Sequence, residues 1–324
     1  MTTMFVATTG GHLEQLHDLA SRLLPDEPAF WVTHENNQSH SLLAGHDVVY
    51  VPYVRVRNVP DVVHCIPTAH RLWRERSVTR VVSTGSAIAI GYLPYLAGRG
   101  VACHYVESAA RVTAPSLAGR VLRWAPRIRR YTQYERWADR HWLHRGSVFD
   151  SYEPFPASRP FRDVVRVVVT LGTAAEFPFR RLVEALTPLL GPDGRLAAAT
   201  GRQVEVIWQT GCTSTDGLPV TATPYLAVGE LAAAMASADI VVGHAGTGSA
   251  VSALRAGRCP VLVPRRAALC EAGDDHQREL ATELQDRHLA LYREPAGITV
   301  EDLLATMQTG VHRSATPPAF ELAS

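Results

Sequence analysis

Lysine is absent from this 324-residue chain, so all 32 of its lysine-plus-arginine positions are arginine. Such usage reflects coding composition and names no function. Cysteine is sparse: Cys65, Cys103, Cys212, Cys259 and Cys270 are odd in number and contain no CxxC pair. That pattern excludes a disulfide framework and a structural zinc site, and a reducing cytoplasm is the expected compartment. No Asp-x-Asp triplet occurs, so no metal is expected. Signal-peptide features are missing as well, because residues 1–6 run into Gly10-Gly11 without a basic flank or a cleavage site. The longest apolar stretch, residues 81–98, is broken by Gly85, Gly91 and Pro94. It falls short of the roughly 20 apolar residues of a membrane span and reads as strand, turn and buried helix.

What is present describes a soluble globular chain, with 46% hydrophobic and 19% charged residues. Its length predicts two domains of roughly 150 residues each. Residues 1–160 hold 18 Arg against 13 Asp and Glu, and residues 161–324 hold 14 against 18. The basic first half suits an anionic membrane or a phosphorylated acceptor, or is simply a solvated surface, and the excess is too mild for nucleic acid as a partner.

Short β-branched runs at 4–8, 30–33, 48–51, 80–83 and 101–106 alternate with helical stretches, as in a parallel sheet covered on both faces. The Pro-rich stretch 153–160 breaks the pattern. The series resumes at 164–170, 204–208, 239–243, 260–263 and 288–292. The expected fold is α/β, two Rossmann-like domains facing across a cleft. Domain one spans 1–155, a linker 156–163, domain two 164–312 and a loose tail 313–324. Ligands of such sheets bind beyond the C-terminal strand ends.

In the second half, His244-Ala-Gly-Thr-Gly-Ser249 reads as the turn between a buried strand and a new helix. Gly246 and Gly248 leave the backbone approachable, free N–H groups at the helix start can hold a diphosphate, and Thr247 and Ser249 add hydroxyls. The same glycines also fit a turn needed only for packing. Thirty residues on, Asp274-Asp-His-Gln277 lies near another helix start, where its side chains can bond sugar hydroxyls or an Asp can serve as N-cap. Arg265 and Arg266 match a carboxylate or diphosphate, or one of them is a loop charge.

Together, Val167-Val-Val-Thr-Leu-Gly-Thr173, Trp208-Gln-Thr-Gly211, His244–Ser249 and Asp275-His-Gln277 resemble the C-terminal domain of glycosyltransferase family 28 over roughly 130 residues. This resemblance implies a GT-B fold and a UDP-sugar donor. Gly172, Thr173 and Gly246 to Ser249 would surround the diphosphate, with Gln209, His244, Arg265 and Asp275 among the donor contacts. His276 and Gln277 would touch the sugar, and backbone at 225–229 the uracil. Ser252 stands where the family often has a ribose-binding Glu. A related group of bacterial exopolysaccharide paired-subunit transferases tolerates a hydroxyl there and shares the Pro-Arg-Arg run.

In the first half, Thr8-Thr-Gly-Gly-His-Leu-Glu-Gln15 puts His12 at a helix start beside a tight turn, as a general base or a plain cap. Gly-Gly-His also occurs at this place in the family. Val82-Ser-Thr-Gly-Ser86, His104-Tyr-Val-Glu-Ser-Ala-Ala-Arg111 and Tyr131-Thr-Gln-Tyr-Glu135 resemble the acceptor subunits of the dolichol-linked chitobiose synthase and its bacterial counterparts, so the chain is similar to a fusion of acceptor and catalytic subunits. More distantly it resembles the bacterial lipid II synthases. The resemblance makes His12 and Glu107 the catalytic candidates and Gly10, Gly11, Ser108 and Arg111 the acceptor contacts. Glu107 and Arg111 can instead form a structural ion pair. Residues 120–145 carry eight arginines with Trp124, Trp137 and Trp142, which suits an anionic bilayer surface or a solvated face over buried tryptophans.

The resulting expectation is an inverting transferase that moves a hexosyl unit from a UDP-sugar to a lipid-linked saccharide, cytoplasmic and peripheral at the membrane, with no cofactor. A soluble enzyme acting on a small natural product and a non-catalytic nucleotide-sugar or lipid-carrier binding partner are the alternatives.

Overall fold

The computed structural model describes every residue except Met1, 24–26, Val56, 158–161, 173–175, Pro192 and Ser324. Two compact units are present: residues 1–151 with 316–324, and residues 152–315.

Unit one follows the alternating pattern: β1 (Thr2–Val6), α1 (Gly11–Leu23), β2 (Ala29–His34), α2 (Asn37–Leu42), β3 (Val48–Val51), α3 (Val59–Glu75), β4 (Val78–Ser83), α4 (Ala87–Ala97), β5 (Ala102–Val106), α5 (Leu117–Leu122), β6 (Ile128–Thr132) and β7 (Leu143–His144). The seven strands run parallel in the order β3-β2-β1-β4-β5-β6-β7. The order reverses beside β1, which puts the β1 and β4 ends where such sheets bind ligands. Buried residues of α3, α4 and α5, among them Ala69, Leu72, Ile88, Leu93 and Leu122, share one core with the strands. Gly91 allows the close approach of α3 and α4, since a Cβ there would lie 2.6 Å from the Cβ of Cys65.

Unit two comprises β8 (Tyr152–Pro156), β9 (Val164–Thr170), α6 (Arg180–Leu190), α7 (Arg195–Thr200), β10 (Gln203–Gln209), β11 (Ala222–Thr223), α8 (Val228–Ser237), β12 (Ile240–His244), α9 (Thr247–Arg255), β13 (Val261–Val263), α10 (His276–Asp286), β14 (Leu291–Tyr292), α11 (Val300–Met307) and β15 (Thr309–Arg313). Its parallel sheet repeats the reversal, in the order β11-β10-β9-β12-β13-β14. Val165, Val167 and Val169 of β9 face Leu182 and Leu186 of α6 in its core.

Two expectations need correction. Tyr152–Pro156, partly assigned above to domain one and the linker, is a strand paired antiparallel with β15. Residues 313–324 are no loose tail: β15 reaches Arg313, and residues 316–324 pack into unit one with Phe320 fully buried. Residues 158–161 of the linker assignment lie outside the described residues.

Candidate active site

The second-half residues converge on the ring of His244, the last residue of β12. Gly172 lies on one side, with φ +74, where a Cβ would sit 2.5 Å from the ring Cε1. Gly246 lies on another, where a Cβ would come within 2.3 Å of Nε2. A side chain at either position would displace the imidazole, and at Gly172 the positive φ favours glycine as well. Ser249 Oγ is 3.4 Å from His244 Nδ1. Burial, and then the charge of Arg265, push the His244 pKa down to about 3, so the ring is neutral at physiological pH. Gly246 caps α9 without a side-chain bond. The first-turn N–H groups at Thr247, Gly248 and Ser249 are the ones a helix leaves without internal acceptors.

Arg265 is only 3% exposed. Its Nη2 donates to the Leu171 carbonyl at 2.6 Å, and its guanidinium lies 5.8 Å from the centre of the Phe179 ring. Nε is buried without a hydrogen-bond partner, and among the described residues no carboxylate pairs with this cation. Glu271 acts on this buried charge only from a distance, and an anion placed in contact with it would relieve the cost of its burial. Arg266 has a different task. It donates to Glu294 at 2.9 Å, and its backbone N–H donates to Glu271, which Arg181 holds in a two-pronged pair at 3.0 and 2.9 Å. This lattice braces the loop before α10.

Gln277 is buried, and its Oε1 accepts the Arg265 N–H at 3.0 Å, tying α10 to that loop. His276 pairs with Asp274. Asp275 occupies the N-cap position of α10 without a side-chain cap bond, because its carboxylate accepts the Ala267 N–H at 2.9 Å instead. Gln209 is buried behind the site, bonded through its amide to Thr170 Oγ1 at 2.9 Å and to the Leu226 N–H at 3.1 Å. It therefore positions the 225–229 segment from behind. Thr173 lies outside the described residues.

In unit one, His12 stands in the first turn of α1. Its Nδ1 is 2.8 Å from the Thr84 carbonyl, Thr84 Oγ1 donates back to the His12 carbonyl at 2.7 Å, and Gly85, with φ +119, lies against the ring. Burial lowers the His12 pKa and the charge of Arg111 adds to this, against the bond to Thr84. Gly10, with φ +91, makes the preceding turn, and its carbonyl accepts from Gln38 at 3.3 Å while Gly11 starts α1.

Glu107 differs from the expectation that it faces acceptor. It is fully buried, and its carboxylate accepts from Tyr105 Oη (3.1 Å), Ser108 N (3.0 Å), Ser116 N (2.9 Å) and Ser116 Oγ (3.0 Å). Its four acceptor positions are thereby used, and it holds the loop from β5 to α5. Burial raises its pKa against those bonds. Ser108 accepts from Gln15 Nε2 at 3.2 Å, and Gln15 Oε1 accepts from Ala109 N at 2.7 Å and from Gln133 at 3.3 Å. Gln15 and Gln133 went unnoticed in the sequence, although both fall inside motifs quoted above.

Residues 166–321 match the glycosyltransferase family 28 C-terminal domain. MurG of Acinetobacter baumannii is similar in structure, with a TM-score of 0.55 at 17% identity over 95% of this chain and 90% of that one. The glycosyltransferase SnogD from Streptomyces nogalater superposes with a TM-score of 0.56 at 16% identity over the same shares, 95% and 90%. This chain carries a glycosyltransferase family 28 C-terminal domain on a GT-B fold. The family 28 domain falls mainly on unit two, which contains His244, Arg265 and Gln277. A UDP-N-acetylglucosamine transferase subunit ALG13 from Yarrowia lipolytica (strain CLIB 122 / E 150) is 46% identical over 61 residues, 18% of this chain. The match spans 29% of that relative's length.

Proposed function

We propose that this protein is a family 28 glycosyltransferase that transfers a hexosyl unit from a UDP-sugar to a hydroxyl of a lipid-linked saccharide, with inversion at the anomeric carbon. Arg265 carries the reading: a buried guanidinium without a carboxylate, beside a neutral imidazole and the start of α9, is built to receive an anion. The departing diphosphate is that anion. As the bond from the anomeric carbon to the diphosphate breaks, charge grows on the leaving UDP, and preorganised donors stabilise it there. His276 and Gln277 would hold the sugar, and His12 would take the proton of the attacking hydroxyl. The similarity to a UDP-N-acetylglucosamine transferase subunit of Yarrowia supports a UDP donor.

Arg265→Ala is expected to weaken UDP binding about 10- to 100-fold by calorimetry, the loss of a charge-assisted hydrogen bond in a dry site. Unchanged affinity would remove Arg265 from the donor site. The transfer reading itself is tested by incubating the pure protein with radiolabelled UDP-hexoses and following UDP release. No release from any donor, even after long incubation, would favour a non-catalytic binding partner.

Contact with an anionic membrane belongs to the same proposal. Among the described residues no helix is long and apolar enough to cross a membrane. The basic and aromatic stretch sorts cleanly, however: Trp142 is buried, while Trp124 is 87% exposed and stands in line with exposed Leu117 and Val121. Arg120, Arg123 and Arg127 are exposed around this ridge. Apolar side chains ringed by arginines suit an anionic bilayer surface. Vesicles containing phosphatidylserine are expected to float the protein, and Trp124→Ser to lower the partition about tenfold. Equal flotation of wild type and variant would dismiss the ridge.

A further inference from the structure

A cavity of about 240 Å³ lies within unit one, between the chain that follows β3 and the helices α3 and α4. Val51, Pro52 and Val54 form one wall, Cys65 and Thr68 of α3 another, and Tyr92 of α4 the third. The walls are fixed by the close packing of α3 on α4 at Gly91. Cys65 is buried there, its thiol 3.5 Å from the Asp61 carbonyl and its pKa pushed up to about 11 by burial.

Asp61 also lines the cavity, but its carboxylate is fully engaged. Arg55 donates to it through Nε at 2.7 Å, Nη2 at 2.9 Å and its backbone N–H at 3.1 Å. The cavity is thus no cation site. Its polar opening is elsewhere. Tyr92 is only 1% exposed, and its hydroxyl has no hydrogen-bond partner among the described residues. That hydroxyl is not sealed away from solvent, so it is a donor open to the cavity that Tyr92 lines. Outside, Tyr53, Val59 and Val63 are exposed apolar residues on the same two segments, so an apolar group can approach without leaving an apolar surface.

We propose that this cavity is an acceptor subsite that takes a short hydrocarbon group carrying one oxygen, to which the Tyr92 hydroxyl donates. The assignment as acceptor subsite rests on the transfer reading above. The cavity is smaller than the roughly 300–1,000 Å³ of complete small-molecule sites, so it holds part of an acceptor rather than the whole. It also opens after the C-terminal end of β3, the edge at which β1 and β4 of the same sheet present His12 and Thr84. Two sources share the required chemistry: a branched aliphatic chain next to a lipid-linked phosphate, and a planar aromatic group of a small acceptor.

The test titrates the full chain with geraniol and with 2-naphthol by calorimetry, in parallel with UDP. Saturable binding of geraniol is expected, weakened about 2- to 10-fold in Tyr92→Phe, which keeps the ring and removes only the hydroxyl bond. Thr68→Phe, which fills the cavity, should weaken it more than tenfold, while UDP affinity stays unchanged in both variants. Binding of 2-naphthol in place of geraniol, with the same response to both variants, supports the subsite and assigns it to a planar group. No binding of either probe, or binding indifferent to both variants, overturns the proposal, and Tyr92→Phe alone decides it should Thr68→Phe fail to fold. Loss of UDP binding in the wild type would instead count against the transfer reading and leave the probe result standing.

Discussion

If His12 is the general base proposed above, replacing it by alanine is expected to lower kcat/KM for sugar transfer about 10²- to 10⁴-fold, the ordinary worth of such a positioned group. The hydrogen bond at Nδ1 decides which nitrogen acts. A carbonyl oxygen only accepts, so the contact with Thr84 at 2.8 Å places the proton of the neutral ring on Nδ1 and the lone pair on Nε2. Among the described residues Nε2 has no hydrogen-bond partner, which leaves it available to an incoming hydroxyl. Burial and the charge of Arg111 both disfavour the imidazolium, so the pKa falls below the ordinary histidine value of about 6.5. The sign follows directly: the base works when deprotonated, activity rises with pH through that lowered pKa, and a plateau extends across neutral pH. The measurement is kcat/KM between about pH 5 and 8 for the wild type and His12→Ala. The wild type should show an acid limb below about 6.5, and the variant should be slow and lack it. Arg111→Gln should shift the limb upward, because a neighbouring positive charge has gone. An acid limb that survives in His12→Ala would show that another group takes the proton.

Phe320→Ala is expected to destabilise unit one by about 3–5 kcal/mol, the usual cost of removing a fully buried phenylalanine. Phe320 is fully buried, and its ring centre lies 5.7 Å from that of Tyr131. The backbone around it is anchored too. Phe320 N–H donates to the Arg22 carbonyl at 3.2 Å, Arg22 Nε donates to the Pro318 carbonyl at 2.8 Å, and Ala323 N–H donates to the Tyr131 hydroxyl at 2.8 Å. Arg22 is itself buried and donates to the Ser147 carbonyl at 2.6 Å. A chain with two units need not unfold in one step, so the proper readout is amide hydrogen exchange resolved by segment. Faster exchange in β6 and α1 is expected, with α9 and β12 of unit two unaffected. Exchange unchanged in every segment would mean that the tail contributes nothing to unit one.

Much of the architecture was legible because parallel strands buried on both faces read as near-continuous apolar runs, as β9 and β12 do. β6 was not. Arg129 and Arg130 made Ile128–Thr132 look like solvated surface, whereas Arg130 is buried and donates to the carbonyls of Leu122 at 3.0 Å, Arg123 at 2.9 Å and His141 at 3.2 Å. Local pattern carries no trace of such distant carbonyls. β8 was missed as a strand and divided between domain one and the linker because Pro154 and Pro156 read as a break, yet a two-stranded ribbon has only edge strands, where a missing N–H is tolerated. Phe320 is a single apolar residue among prolines and small residues, too short a signal for any periodicity. At the site, the motifs identified which residues gather but not what each one does. Gly172 and Gly246 were read as room for a ligand, and they are first of all room for His244. Glu107 lay in a recognisable motif, but only burial and four bonds distinguish a carboxylate that holds a loop from one that meets acceptor.

The return of residues 316–324 to unit one also bears on the order of assembly. Unit two is, in effect, an insertion in unit one, whose contributing residues lie on both sides of it in the chain. During synthesis from the N-terminus, the whole second sheet leaves the ribosome before Phe320 does, so unit one waits with an open slot against Tyr131 while its neighbour can already fold. A fragment cut after Ser151 would keep that slot open and present apolar surface to other chains. Such a fragment is therefore a poor isolated domain, whereas unit two keeps its own sheet and core within one continuous segment.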